Sequence, residues 1–185
     1  PNMIQLLKYS LALSIAFIAS TTFALDINSL DLIEGKPMSK KHEFSGLGCN
    51  GKNTSPQLSW KNAPNGTKSF AVTVYDPDAP TGSGWWHWLV YNIPADVYEL
   101  QRDAGNIDGR QLPENAQHAR TDYGEYGFGG TCPPEGDKSH RYQFKVFALN
   151  QEKINIPKDA SAALLGYLLN ASALEVAELE VTYKR

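Results

Sequence analysis

The chain has 185 residues, 42% of them hydrophobic, which is enough for one substantial core and does not call for a second domain. Its 20 acidic and 17 basic residues give a formal net charge of −3. The basic residues form only pairs, such as Lys40-Lys41 and Lys184-Arg185, and not the stripe that a nucleic-acid backbone requires. We therefore expect no nucleic-acid partner.

The N-terminal segment has the layout of a secretory signal. Lys8 precedes an apolar run over residues 9–19, and small residues follow up to Ala24. The run is too short to span a bilayer, so we expect no transmembrane segment. The pattern predicts a signal peptide over residues 1–24, with Pro1-Asn2 as a scar or upstream extension. It also predicts one folded domain over residues 25–185 and a bacterial protein that is periplasmic or secreted.

The rest of the chain consists mainly of short β-forming stretches separated by Pro, Gly, Asn and Asp, a pattern typical of antiparallel sheets. The predicted strands span residues 25–32, 57–60, 70–75, 85–93, 142–149 and 178–183. Leucines at helical spacing predict an amphipathic helix over residues 160–173, with Asp159 or Ser161 able to cap its start. The fold class is therefore mainly β, with one helix before the last strand.

Three predicted strands begin or end a buried row with a titratable side chain, because alternate residues of a strand share a face. The rows are Phe70, Val72, Val74 and Asp76; Trp85, His87, Leu89, Tyr91 and Ile93; and His140, Tyr142, Phe144, Val146 and Ala148. Taken singly, Asp76 could cap its turn and each imidazole could bond to a backbone carbonyl. Three such residues together predict a shared polar pocket, because unpaired buried polar groups are costly.

The two cysteines of the sequence, Cys49 and Cys132, predict a disulfide, since an even pair in an exported protein is typically bonded. A zinc site made of these cysteines with His87 and His140 is the alternative. It lacks the close paired spacing of zinc motifs, so we expect neither a metal nor another cofactor.

Three ordered motifs carry a resemblance to a known family. They are DPDAP at residues 76–80, GSGWWHWLVYNIP at 82–94 and GFGGTCPPEGDKSHRYQF at 127–144. Together they resemble the phosphatidylethanolamine-binding protein (PEBP) family, in particular its bacterial, Raf-kinase-inhibitor-like YbhB/YbcL branch. The similarity runs from about Leu25 to the C-terminus.

The resemblance implies two antiparallel sheets with peripheral helices and an anion-binding pocket at a sheet edge. The residues that match the family's pocket motifs are Asp76, Asp78, Pro80, His87, Pro133, Pro134, His140 and Tyr142. Animal members have a further C-terminal helix beside this pocket. This sequence has a strand-like segment at residues 181–185 instead, so the helix that borders the pocket is expected to be missing. Cys132 adjoins Pro133, so the predicted disulfide would border the pocket.

Two carboxylates about 5 Å from a phosphate would each repel it by roughly 3 kcal/mol at an effective dielectric near 20, so the donors must come from elsewhere. We expect the backbone amides of residues 127–132, including Gly130, to form a concave anion site, completed by His87 or His140 and by Tyr142. Asp76 would orient an imidazole, and Asp78 would fix the proline-rich turn or meet a cationic amine.

The predicted function is non-catalytic binding of a phosphate-bearing small molecule or lipid head group. One alternative is modulation or inhibition of a protein partner, such as a kinase or protease. Another is phosphoester or ester hydrolysis by Asp76, Asp78, His87 and His140. Against hydrolysis, the sequence has no G-x-S-x-G motif, and Asp-x-Asp beside prolines is typical of turns.

Overall fold

The computed structural model describes residues 23–185. The predicted signal segment therefore lies outside the described residues, apart from Phe23 and Ala24, and its cleavage remains a prediction. The strands, in chain order, are β1 Asp26–Asn28, β2 Ser45–Gly46, β3 Cys49–Asn50, β4 Leu58–Lys61, β5 Ser69–Asp76, β6 Trp85–Pro94, β7 Glu99–Leu100, β8 Gln117–His118, β9 His140–Leu149 and β10 Ala173–Tyr183. A 3₁₀ turn spans Lys40–His42, and the helix α1 spans Ala162–Ser172.

Two antiparallel sheets form the framework, as the sequence predicts. The larger sheet has the order β10-β9-β5-β6-β8, the smaller one has the order β1-β4-β7, and β2 and β3 form a separate hairpin. All six predicted strands are present with shifted ends, while the short strands β2, β3, β7 and β8 were not predicted. Within residues 23–185, no helix is long and apolar enough to cross a membrane.

The larger sheet is buried on both faces. On one face, Phe70, Val72 and Phe144 pack with Trp60 and Leu100 of the smaller sheet. A second apolar cluster lies on the other face, where the helix covers the sheet. Its members include Ala71, Leu89, Phe147, Leu165 and Leu169. The apolar character of both faces of β5 and β6 follows from this central, doubly covered position.

The helix begins after Ser161, whose hydroxyl accepts a hydrogen bond from the Leu164 amide at 3.1 Å. Of the two predicted capping residues, Ser161 is therefore the one that acts. Leu165 and Leu169 are fully buried against the sheet, whereas Leu164 is 41% exposed. The helix leads without a loop into β10, the edge strand of the larger sheet.

The predicted buried row of β6 is wrong, because two register shifts interrupt the strand. Val74 pairs with Trp88 while Tyr75 pairs with Trp86, so His87 is an extra, bulged residue; a second shift lies between the partners of Phe70 and Val72. Side chains that strict alternation along the strand would place on one face of the sheet consequently lie on opposite faces. Trp88, Val90 and Ile93 join the cluster between the sheets, while Leu89 and Tyr91 join the cluster under the helix. The bulge re-aims His87, as bulges near functional sites do.

Candidate ligand-binding site

A cavity of about 280 Å³ lies at the edge of the larger sheet where β5 ends and where β6 and β9 begin. These ends meet because β5 is antiparallel to both neighbouring strands. The lining residues are Leu47, Asp76, Ala79, Pro80, Thr81, Trp85, His87, Tyr123, Cys132, Pro133, Pro134, His140, Tyr142 and Arg185. The sheet edge thus gathers acidic, imidazole, phenol and indole groups around one hollow.

Seven of the nine predicted site residues line this cavity. They are Asp76, Pro80, His87, Pro133, Pro134, His140 and Tyr142. Asp78 and Gly130 do not line it. The Asp78 carboxylate accepts hydrogen bonds from the backbone and side chain of Arg141, which lower the pKa of Asp78 to about 2. Asp78 therefore fixes the turn after β5, the first of its two predicted roles.

Asp76 and His140 form a buried pair in the cavity wall. The Asp76 Oδ2 atom lies 2.8 Å from His140 Nδ1, and Oδ1 accepts the Asp78 amide at 2.7 Å. On the other side of the ring, His140 Nε2 lies 3.2 Å from Asp137 Oδ2. Burial lowers the pKa of His140, but the bonds and charges of the two carboxylates outweigh burial and hold that pKa above its ordinary value. The raised pKa favours the imidazolium form of His140, which lies between the carboxylates of Asp76 and Asp137.

His87 is held differently, although it lines the same cavity. Its Nδ1 atom lies 2.7 Å from the Gly129 carbonyl oxygen and 3.1 Å from the Gly130 carbonyl oxygen. Burial lowers the pKa of His87, outweighing those bonds and the charge of Asp76, so the ring is neutral. Asp76 therefore caps its turn and His87 bonds to backbone carbonyls, which is the alternative interpretation of each residue taken singly. Both residues nevertheless line the cavity.

The predicted amide site is contradicted for four of its six residues, because the amides of residues 128–131 are bonded to other parts of the protein. The amides of Phe128, Gly129, Gly130 and Thr131 bond respectively to the Gly105 carbonyl, the His87 carbonyl, the Asn53 side chain and the His42 carbonyl. The Gly130 carbonyl accepts from Tyr123 Oη at 2.9 Å as well as from His87. A Cβ atom on Gly130 would overlap the His42 carbonyl, so glycine is required by close approach. Gly130 thus positions His87 and Tyr123.

Two side chains of the lining have buried donors without a partner among the described residues. The Tyr142 hydroxyl and Trp85 Nε1 are buried and have no hydrogen-bond partner within the described part of the chain. Burial, with the charge of Asp76, raises the pKa of Tyr142 well above its ordinary value, so its hydroxyl stays protonated. Two donors are therefore available in residues that line the cavity.

Several lining residues were not predicted from the sequence as site residues. Tyr123 stacks on Phe44 with ring centroids 4.1 Å apart and meets the Trp85 and His87 rings edge-on. Arg185 reaches the rim and donates to the carbonyls of Pro133 and Gly48. Tyr123 lies in a turn-rich loop and Arg185 follows β10, so neither belongs to a periodic strand pattern that the sequence could reveal.

The predicted disulfide joins Cys49 to Cys132, with Cα atoms 6.0 Å apart. Cys132 and Leu47, which lies in the turn between β2 and β3, both line the cavity, so the bond does border the pocket. The alternative zinc site is contradicted, because neither sulfur is a free thiolate. Among residues 23–185, no group of three or more His, Cys, Asp or Glu side chains could hold a metal ion.

Fold and site together define a mainly β protein with a small polar pocket at a sheet edge. A family model described as phosphatidylethanolamine-binding protein matches residues 29–184. The chain is 56% identical over 161 residues to Escherichia coli YbcL, covering 87% of this chain and 88% of that protein. It is 44% identical over 155 residues to E. coli YbhB, covering 84% and 97%.

The solved structures agree with this. The crystal structure of E. coli YbcL, described as a member of the mammalian PEBP family, matches with a TM-score of 0.86 at 55% identity, covering 88% of this chain and 99% of YbcL. A putative PEBP homologue from Chlamydia trachomatis matches with a TM-score of 0.72 at 30% identity, covering 88% and 98%. This chain therefore belongs to the PEBP family, and the predicted resemblance is confirmed.

Proposed function

We propose that this protein is an exported, non-catalytic binding protein whose sheet-edge pocket holds a small phosphate-bearing anion. The observation that carries the proposal is the pair of buried, unpartnered donors of Tyr142 and Trp85 within the described cavity wall. A buried donor without a partner costs about 1–3 kcal/mol. An anion with several acceptor oxygens would satisfy both.

The charge balance of the wall favours an anion. Within the lining, His140 pairs with Asp76 and His87 is neutral, so the Arg185 guanidinium, whose charge also acts on Glu43 outside the lining, is the remaining cationic side chain. Arginine is well suited to phosphate because its planar fork donates two parallel hydrogen bonds. The repulsion expected from two free carboxylates is also reduced, since Asp78 is paired with Arg141 outside the lining.

The volume limits what can enter. A cavity of about 280 Å³ is at the lower limit of small-molecule pockets, which typically measure about 300–1,000 Å³. It suits a phosphate with a short organic substituent. Acyl chains of a whole lipid would have to remain outside.

The absence of catalysis is part of the proposal and is supported by the state of the lining groups. The Thr81 hydroxyl donates to the Gly84 carbonyl, and Cys132 is in the disulfide. Both nitrogens of His140 face carboxylates, so this ring is not placed to activate a nucleophile. Turnover of aryl phosphates by the purified protein, lost on addition of a chelator or in an Asp76→Ala variant, would contradict this part.

Export is likewise proposed, and two observations support it. The predicted signal segment precedes the domain, and the disulfide between Cys49 and Cys132 is typical of an oxidising compartment such as the periplasm.

Calorimetric titration with phosphoethanolamine tests the binding proposal. We expect saturable one-site binding that an Asp76→Ala, His140→Ala double variant loses. Lys153→Ala is the control, because Lys153 lines a larger surface groove of about 990 Å³ elsewhere on the molecule. Unchanged affinity in a folded double variant, or a loss of affinity in the Lys153 variant alone, would move the site away from the sheet edge.

A further inference from the structure

The sheet-edge pocket contains hydrogen-bond acceptors that an ordinary anion cannot satisfy. The Asp76 carboxylate receives one bond on each oxygen, from the Asp78 amide and from His140. A carboxylate offers about four lone-pair sites, so about two of them remain open. Asp76 thus presents unused acceptor capacity in the wall of the cavity.

His87 adds a second acceptor. Its Nδ1 atom faces the Gly129 and Gly130 carbonyl oxygens, which can only accept, so Nδ1 must carry the ring proton. Burial lowers the pKa of His87 and keeps the ring neutral. In a neutral ring protonated on Nδ1, Nε2 has no proton and is an acceptor.

Tyr123 follows the same logic. Its hydroxyl proton is donated to the Gly130 carbonyl at 2.9 Å, which leaves the oxygen as an acceptor. Three lining side chains therefore present acceptors: Asp76, His87 and Tyr123. The donors described above, on Tyr142, Trp85 and Arg185, complete a mixed set.

We infer that the pocket selects an oxoanion that brings its own acidic proton, so that it takes phosphate monoesters and discriminates against sulfate esters and phosphodiesters. The inference rests on the proposed function and deepens it. The P–OH group of the ligand donates to Asp76 or to His87 Nε2, while its other oxygens accept from Tyr142 and Arg185. A monoester has a second pKa of about 6, so its protonated monoanion is populated near neutral pH.

A sulfate ester has the same tetrahedral shape and the same single charge as that monoanion, but it has no proton. Its oxygen lone pairs would face the lone pairs of Asp76 and His87 directly. Sites that hydrogen-bond a ligand hydroxyl reject analogues lacking it strongly. We expect a preference on the order of a hundredfold, the upper end of the cost of leaving one buried polar group unpaired. A phosphodiester is rejected for the same reason, which points to free monoesters and not to the diester of an intact phospholipid.

Calorimetric or competition titrations of the intact protein with methyl phosphate, methyl sulfate and dimethyl phosphate near neutral pH test this inference. Methyl phosphate should bind, and the other two should bind on the order of a hundredfold more weakly. Equal affinity for methyl sulfate would overturn the inference and leave the proposed function standing. If none of the three bound, and phosphoethanolamine did not bind either, both would fall.

Substitutions locate the selectivity. Asp76→Asn places an amide donor where the carboxylate accepts, so the preference for methyl phosphate over methyl sulfate should shrink about tenfold or more. His87→Gln is the second variant, used if Asp76→Asn does not fold. Tyr142→Phe is the matched control, because it removes a donor that serves both anions and should weaken both while preserving their ratio. A ratio that stays unchanged in both folded selectivity variants would contradict the assignment.

Discussion

At the scale of single residues, the site is governed by which polar atoms are already bonded. His140 has both ring nitrogens engaged by carboxylates, and Asp78 is paired with Arg141. By contrast, the Tyr142 hydroxyl is buried and has no partner within the described residues. The two residues therefore differ in role. His140 pairs with carboxylates, whereas Tyr142 has a hydroxyl donor that no described residue uses.

Removing the Tyr142 hydroxyl should separate affinity from stability. In Tyr142→Phe the unliganded protein loses no hydrogen bond, so its free energy of unfolding should stay the same or rise slightly. Affinity for phosphoethanolamine should fall about ten- to hundredfold, because hydrogen bonds to charged groups contribute about 1.5–3 kcal/mol. Calorimetry and denaturant unfolding measure the two quantities.

Tyr91→Phe is the matched control for this prediction. Its hydroxyl does have a partner, the Gln117 side chain at 2.8 Å, and Tyr91 does not line the cavity, so this variant should lose about 1 kcal/mol of stability and keep its affinity. If Tyr142→Phe were the destabilised variant and kept full affinity, Tyr142 would have a structural role and not a binding one.

At the scale of elements, the pocket depends on contacts between segments far apart in the chain. The disulfide ties the β2–β3 hairpin to the proline-rich segment, and the bonded residues are 83 positions apart. Arg185 adds bonds to Gly48 and Pro133, one from each of these two segments. The hairpin turn and the proline wall are therefore held together at the rim.

Breaking the disulfide should weaken both the fold and the binding. By the chain-entropy model, closure of a loop of this length stabilises the protein by roughly 4 kcal/mol, and a Cys49→Ser, Cys132→Ser variant should lose up to about that amount. Affinity should fall as well, because Leu47 and Pro133 are no longer fixed relative to each other. Unfolding and calorimetric titrations with and without reductant measure both effects.

The double serine variant is also the control, since reductant should change nothing in it. If reduction of the original protein left affinity for phosphoethanolamine unaltered, the rim would not depend on this bond.

The sequence predicts structural elements that depend on neighbouring residues, but it does not predict features that depend on contacts between distant segments. The strands, the helix and the cysteine pair follow from composition, periodicity and cysteine count. The side of the sheet on which His87 lies does not, because the bulge exists only relative to the pairing partner in β5. The amides of residues 128–131 were wrongly predicted as ligand donors, since their acceptors lie at residues 105, 87, 53 and 42.

At the scale of the whole molecule, the histidines couple protonation to folding in opposite directions. Burial lowers the pKa of His42 and His87, and it lowers the pKa of His118 to about 4. Below about pH 6.5, the ordinary pKa of histidine, these three residues bind protons in the unfolded chain but stay neutral in the folded protein. Stability therefore falls as pH decreases. The raised pKa of His140 acts in the opposite way. Between about 6.5 and that raised value only the folded protein keeps the proton, so stability falls as pH increases.

Stability should therefore be greatest near about pH 6.5 and decline on both sides, which denaturant unfolding between about pH 5 and pH 8 can measure. Asp31 and Asp78 contribute little to the pH dependence in this range, because their lowered pKa values make stability change only at more acidic pH. His118→Gln should make the decline on the acidic side less steep, since His42 and His87 still contribute to it, and His140→Gln should remove the decline on the alkaline side. Stability that rose steadily from acidic to alkaline pH would mean that His140 is neutral in the folded protein. The charge balance on which the proposed anion binding depends would then be lost.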